Sequence, residues 1–106
     1  MSERTQELIA FCLIMELIIS KIFGRIVKIA QNPYCQRSSI ERLIPVLDRN
    51  FLSIIGFIKA EWREANLSKE DLVEVARYMS HLEDYFHAHK ESILAMKEGD
   101  KNEQQN

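Results

Sequence analysis

Glycine and proline are scarce, three and two among 106 residues. A chain so poor in turn-formers has little material for the tight hairpins of an all-β fold and favours a few long elements joined by short loops. Cysteine is limited to Cys12 and Cys35, which fit neither a C-x-x-C redox motif nor a zinc spacing. The chain has no glycine-rich phosphate loop, no G-x-S-x-G elbow and no spacing that pairs a cysteine with a histidine. Common signatures of nucleotide binding and nucleophilic catalysis are therefore missing.

A long apolar run is also lacking. Residues 8–15, LIAFCLIM, have the look of a signal-peptide core, but Glu3 and Glu7 precede them, Glu16 interrupts them and no A-x-A site follows. Phe11 before Cys12 occupies the place where a lipoprotein cleavage site needs a small residue. Extending the run to residue 30 takes in Glu16, Lys21, Arg25 and Lys28, too many charges for a bilayer span of ~20 apolar residues. These features point to a cytoplasmic protein with reduced thiols and no membrane span.

What is present is a globular composition, 46% apolar and 28% charged, with a formal charge of −2. The length suits one domain, 1–97, followed by a polar tail at 98–106 expected to be disordered. Charge is unevenly placed. Residues 20–50 hold six bases (Lys21, Arg25, Lys28, Arg37, Arg42, Arg49) against two acids, and residues 51–106 hold eleven acids against seven bases. Neutralisation of one part of the fold by the other is the preferred explanation, ahead of a binding patch.

Hydrophobic periodicity predicts three helices. Leu72, Val75, Met79, Leu82, Phe86, His89, Ile93 and Met96 step 3-4-3-4-3-4-3, one unbroken seam for a helix over 69–97. Ser68 and Asp71 stand at capping-box distance before it. A first helix spans about 3–31, with a seam read as Leu8, Phe11, Met15, Ile18, Ile22, Ile26 and Ile29. Pro33 ends it. A second, 38–65, starts at Ser38 with Glu41 as its box partner and runs through Leu47, Phe51, Ile54, Ile58 and Trp62, with a kink or a short broken first segment at Pro45. Long helices and short loops make an antiparallel up-down-up three-helix bundle the economical fold. That geometry puts Cys12 and Cys35 at opposite ends of helix 1, out of disulfide reach.

The first two helices carry more apolar surface than one stripe requires. From Leu8 to Ile19, eleven of twelve residues are apolar, and "FLSIIGFI" at 51–58 is similar. Antiparallel pairing gathers both segments at one end, where Phe11, Met15, Ile18, Phe51, Ile55 and Phe57 are the expected interface. Dimerisation into a larger bundle is the leading expectation, ahead of another protein or an amphipathic partner helix. Glu16, alone in that setting, has Lys59, Arg63 and Arg77 as candidate partners and otherwise reaches water at the rim.

All three histidines fall in "YMSHLEDYFHAHKE", 78–91. Rotating ~100° per residue from Leu82 sends His81 and His87 to opposite sides and keeps His89 near the seam. His81, Asp84, His87 and Glu91 offer ligand pairs, but no single helix converges them and no other helix has a histidine to add, so no metal or cofactor is expected. His89 reads as a core histidine bonded to a neighbour or a backbone carbonyl. A small anion held by Tyr85, His89, Arg25 or Arg42 is a weaker alternative.

Lys21, Arg25 and Lys28 share a helical face that could contact phosphates. Glu83, Asp84 and Glu91 are placed to neutralise it, and nucleic-acid binding through the basic 21–49 region is disfavoured. The function that remains is a non-enzymatic binding role of the regulator, adaptor, antiactivator, immunity or chaperone type. A metal- or small-ligand-binding bundle using His81–Glu91 is the alternative from another class.

Overall fold

The computed structural model describes residues 1–96, which form three helices of equal length: α1 (Glu3–Ala30), α2 (Arg37–Glu64) and α3 (Lys69–Met96). Each has 28 residues, about 42 Å at ~1.5 Å per residue. They run up, down and up, so α1 and α3 are parallel and start at the same end. No described helix is long and apolar enough to cross a membrane. The expected tail at 98–106 and the expected last residue of the third helix, Lys97, lie outside the described residues.

Local chemistry accounts for the helix ends. The Ser2 hydroxyl oxygen caps α1 by accepting the Thr5 N–H at 3.1 Å. Between α1 and α2, Pro33 occupies the second position of a turn closed by Cys35 N–H on the Asn32 carbonyl at 3.0 Å, and Asn32 Oδ1 accepts the Tyr34 N–H at 2.9 Å. Asn66 takes the left-handed conformation just past α2, φ 52°, the position where glycine and asparagine end helices. Ser68 caps α3 by accepting the Asp71 N–H at 3.2 Å.

Two of the expected caps work differently. The α2 helix begins at Arg37, with Gln36 as N-cap and no side-chain cap bond, so Ser38–Glu41 is not a capping box. Glu41 instead takes Arg37 Nε at 2.6 Å, a pairing of residues four apart on one face. The Asp71 carboxylate does not turn back onto Ser68. It accepts the Ser2 N–H at 3.1 Å and the Thr5 hydroxyl at 2.9 Å, binding the start of α3 to the start of α1. Through Pro45, α2 is unbroken, so no separate first segment forms. Pro45 and Glu41, whose carbonyl loses its helical partner there, are both exposed, and water can serve the freed acceptor.

The core is aromatic at its centre. Phe51 stacks on Phe86 at 4.1 Å between centroids, and Phe23 meets Phe86 edge-on at 5.6 Å. The α3 seam follows the periodicity over most of its length: Val75, Met79, Leu82, Phe86 and Ile93 are buried and Leu72 and His89 half-buried, but its expected last member, Met96, is exposed at the helix end. On α2, Ile40, Phe51, Ile55 and Ile58 are buried, and half-buried Trp62 donates its indole N–H to the Leu72 carbonyl at 3.1 Å. The α1 seam is corrected. Its buried stripe is Thr5, Leu8, Cys12, Ile19, Phe23, Ile26 and Ala30. Of the expected seam only Leu8 and Ile26 are fully inside, and Ile18, Ile22 and Ile29 are exposed.

The reason is packing distance. α1 lies along α3 far more intimately than α2 lies against either. The small side chains Thr5, Cys12 and Ala30 allow that approach, because interaxial distance follows the size of the residues at the contact. Ile14, Ile18, Ile22 and Ile29 are rotated away, while Ile19 and Ile26 stay inside. Ion pairs finish the ends: Arg4 bridges Glu7 and Glu61 at one, while at the other Lys90 meets Asp48 at 3.0 Å and Arg37 reaches the Leu94 carbonyl at 3.5 Å.

Candidate association surface

With its inward stripe settled, α1 is left with an outward side on which five large apolar residues lie exposed between positions 13 and 22, beside Ser20 and Lys21. Leu13, Ile14, Leu17, Ile18 and Ile22 are all exposed, Leu17 at 64% and Ile18 at 42%. Single exposed apolar residues are ordinary, but a contiguous group on one helix is not. At ~100° per residue, Ile14, Ile18 and Ile22 fall toward α2, and Leu13 and Leu17 toward α3.

The α2 flank contains most of the expected interface. Phe11 is half-buried with its ring 5.5 Å from that of Phe57, which is 53% exposed. Beside them an almost wholly apolar cleft between α1 and α2 is lined by Ile19, Ile22, Phe23, Leu47, Asn50, Phe51, Ile54 and Phe86. It exists because α2 packs loosely on α1. Of the expected interface residues, Ile18 and Phe57 are exposed, and Phe11 and Met15 are half-buried at the edge. Phe51 and Ile55 are corrected: both are 5% exposed and taken up by the three-helix core, Phe51 reaching the surface only in the lining of the cleft. Leu13, Ile14, Leu17 and Ile22 were the missed members. The first three lie in the apolar run 8–19 and Ile22 just beyond it, but a helix apolar all round does not reveal which face turns inward.

The α3 flank is mixed in character. Leu13, Glu16, Leu17 and Ser20 face Tyr85 across a shallow groove. Half-buried Glu16 lies 3.3 Å from His81 Nε2, an ion pair only when the imidazole is protonated. Its partner is thus His81 rather than Lys59, Arg63 or Arg77. Arg77 instead pairs with Glu74 at 2.8 Å and lies 5.8 Å over the Tyr78 ring. Glu16 is a rim residue.

The histidines are dispersed by the helix. His81 turns to Glu16, while the exposed His87 ring meets Phe51 and Phe86 at their edges, 6.4 and 5.6 Å between centroids. His89 is half-buried between Phe23 and Tyr85, 5.3 and 4.2 Å away. Its Nδ1–H donates to the Tyr85 carbonyl at 3.0 Å, so Nδ1 carries the proton. Neither Arg25 nor Arg42 bonds to this ring among the described residues, and the postulated anion pocket is not assembled. Asp84 and Glu91 are exposed, and the described residues hold no group of three or more His, Cys, Asp or Glu side chains able to share a metal ion.

Lys21, Arg25, Lys28, Arg42 and Arg49 are exposed. The expected neutralisation of the first three by Glu83, Asp84 and Glu91 is not found: among the described residues no ion pair joins the two sets. The α1 bases project from its outer and α2-facing sides, away from α3. Cys12 is buried, and burial pushes its thiol pKa up, which disfavours the reactive thiolate. It is not joined to Cys35, in the turn at the far end of α1.

Gly24 stands out on the same outward face. It sits inside α1 with ordinary negative φ, and a Cβ there would meet nothing within 4 Å. A helix-interior glycine costs about 1 kcal/mol relative to alanine, and no contact among the described residues requires it. The chain matches no family model, no curated protein and no solved structure, so the function is read from this surface alone.

Proposed function

We propose that this chain is a non-catalytic binding protein that works by protein–protein association, with the outward face of α1 as its contact surface and a second copy of itself as partner. The observation that carries this reading is the group Leu13, Ile14, Leu17, Ile18 and Ile22, exposed together on one helix. Removing such side chains from water is worth ~25 cal/mol per Å², and an interface is the means by which a small helical protein recovers it. Phe57 and the α1–α2 cleft extend the surface on one side, and Tyr78 and Tyr85 on the other. Half-buried Met15 gives the edge some adaptability.

Such a surface suits the work of a cytoplasmic regulator, adaptor, antiactivator, immunity protein or chaperone. These roles require a contact face rather than an assembled set of reacting groups. The test is solution mass by light scattering on a sizing column, across a concentration range, for the wild type and Leu17→Asp. The expected wild-type mass is near twice the 12.4 kDa chain, and the variant is expected to be a monomer with unchanged helicity. A wild type that stays monomeric throughout, or a variant that still dimerises, contradicts the reading.

A further inference from the structure

Charge runs along the outward face of α1 with a definite polarity. Glu3 and Glu7 stand at its start, Ile14 and Leu17 at its middle, and Lys21, Arg25 and Lys28 toward its end, all of them exposed. Glu3, Glu7, Ala10, Ile14, Leu17, Lys21, Gly24 and Lys28 also step 4-3-4-3-4-3-4, the spacing of a seam that another helix can follow. This second seam lies opposite the core stripe and uses none of its residues.

We propose that a second copy of this chain docks on this seam with α1 antiparallel to α1, about a two-fold axis between Ile14 and Leu17. This rests on the association reading above and adds the orientation and register of the contact. A parallel pairing would set Glu3 and Glu7 against their own copies and the bases against theirs, and like charges in contact repel. Antiparallel pairing about that axis makes every layer complementary. Ile14 meets Leu17 of the second copy, Ala10 receives the aliphatic stem of its Lys21, and Glu3 faces its Lys28. Glu7 lies over Gly24 with Arg25 beside it.

The two-fold axis repeats each contact, as an isologous interface requires. Among the described residues Glu7 pairs with Arg4 at 2.8 Å through Oε2, which leaves its second oxygen for Arg25, and no ion pair engages Glu3. Gly24 supplies an independent reason. It has open space around it, and its place in the register is where the second helix comes close. Ala10 fills the same small-residue role four layers away.

The experiment is a charge exchange read by light scattering and sedimentation on full-length protein, with circular dichroism to confirm helicity. Glu3→Lys/Glu7→Lys and Arg25→Glu/Lys28→Glu are each expected to weaken self-association by about tenfold or more at low salt, from several exposed pairs of modest individual worth. Mixing the two variants is expected to restore a dimer containing one of each, with the difference shrinking at high salt. Gly24→Leu, whose Cβ has open space, is expected to keep its helicity and lose the dimer. A wild-type dimer indifferent to the charge variants and to Gly24→Leu overturns the register and leaves the association reading standing. A monomeric wild type overturns both.

Discussion

α3 and α1 have the same length and pack along one another, yet they solve the burial problem differently. α3 has one apolar stripe with polar residues elsewhere, and the stripe is the core. α1 has apolar residues nearly all round over 8–19, and only part of them can face α3. Its inward choice falls on Thr5, Cys12 and Ala30 with a few larger residues, which leaves Leu13, Ile14, Leu17, Ile18 and Ile22 outside. Surplus apolarity on α1 is thus the residue of a close packing decision. A helix with two apolar faces has one more than its own core uses, and the proposed dimer is what would occupy the second.

The contrast can be broken first at the centre of α3. Phe86→Ala removes the ring that stacks on Phe51 and receives the edge of Phe23, and should cost about 3–5 kcal/mol in urea unfolding. A smaller but more discriminating effect separates neighbours on α1. On the Leu17→Asp background, expected to be monomeric, Ile19→Ala should cost about 2–4 kcal/mol, whereas Ile18→Ala should stay within about 0.5 kcal/mol. Equal costs would mean that α1 is rotated from the position described. Trp62→Phe keeps an aromatic ring at the core edge but loses the indole N–H and its bond to the Leu72 carbonyl, and should cost about 1 kcal/mol for the bond, with some lost packing added.

The gentlest test concerns the joint at the starts of α1 and α3. The Ser2 N–H, and after it the Thr5 hydroxyl, hold the Asp71 carboxyl below the usual carboxylate range. Since its folded pKa lies under the unfolded value of about 3.9, the unfolded chain takes up the proton first as pH falls. Asp71's contribution is therefore complete above about pH 4 and is lost as pH drops through the folded pKa. Asp71→Asn should flatten the fall in unfolding midpoint below about pH 4 while keeping the fold. An unchanged acid limb would remove Asp71 from the account.

These differences also explain what could be read from the amino acids. The α3 seam was legible because its pattern has one solution, and the positions of Val75, Met79, Leu82, Phe86 and Ile93 follow from it. Fold class and helix ends followed from Pro33, Ser68 and the scarcity of glycine. The phase of α1 was not legible, since residues three and four apart are apolar on several of its sides at once. That error carried over to the surface, where Phe51 and Ile55 were placed outside and Leu17 was overlooked. Asp71 looked like a local cap because the sequence does not show that α1 begins beside it. The pairs Thr5–Asp71, Glu16–His81 and Phe23–Phe86 all reflect one parallel register of α1 on α3, and that register would have identified His81 as the partner of Glu16.

The central claim is that α1 has one face for its own core and another for a second copy, and the concentration dependence of stability tests it most directly. Association with the folded state raises apparent stability by mass action. The urea midpoint of the wild type should therefore climb as protein concentration rises, that of Leu17→Asp should be flat, and that of Ile19→Ala should climb from a lower start. A wild-type midpoint that does not move with concentration would contradict the claim.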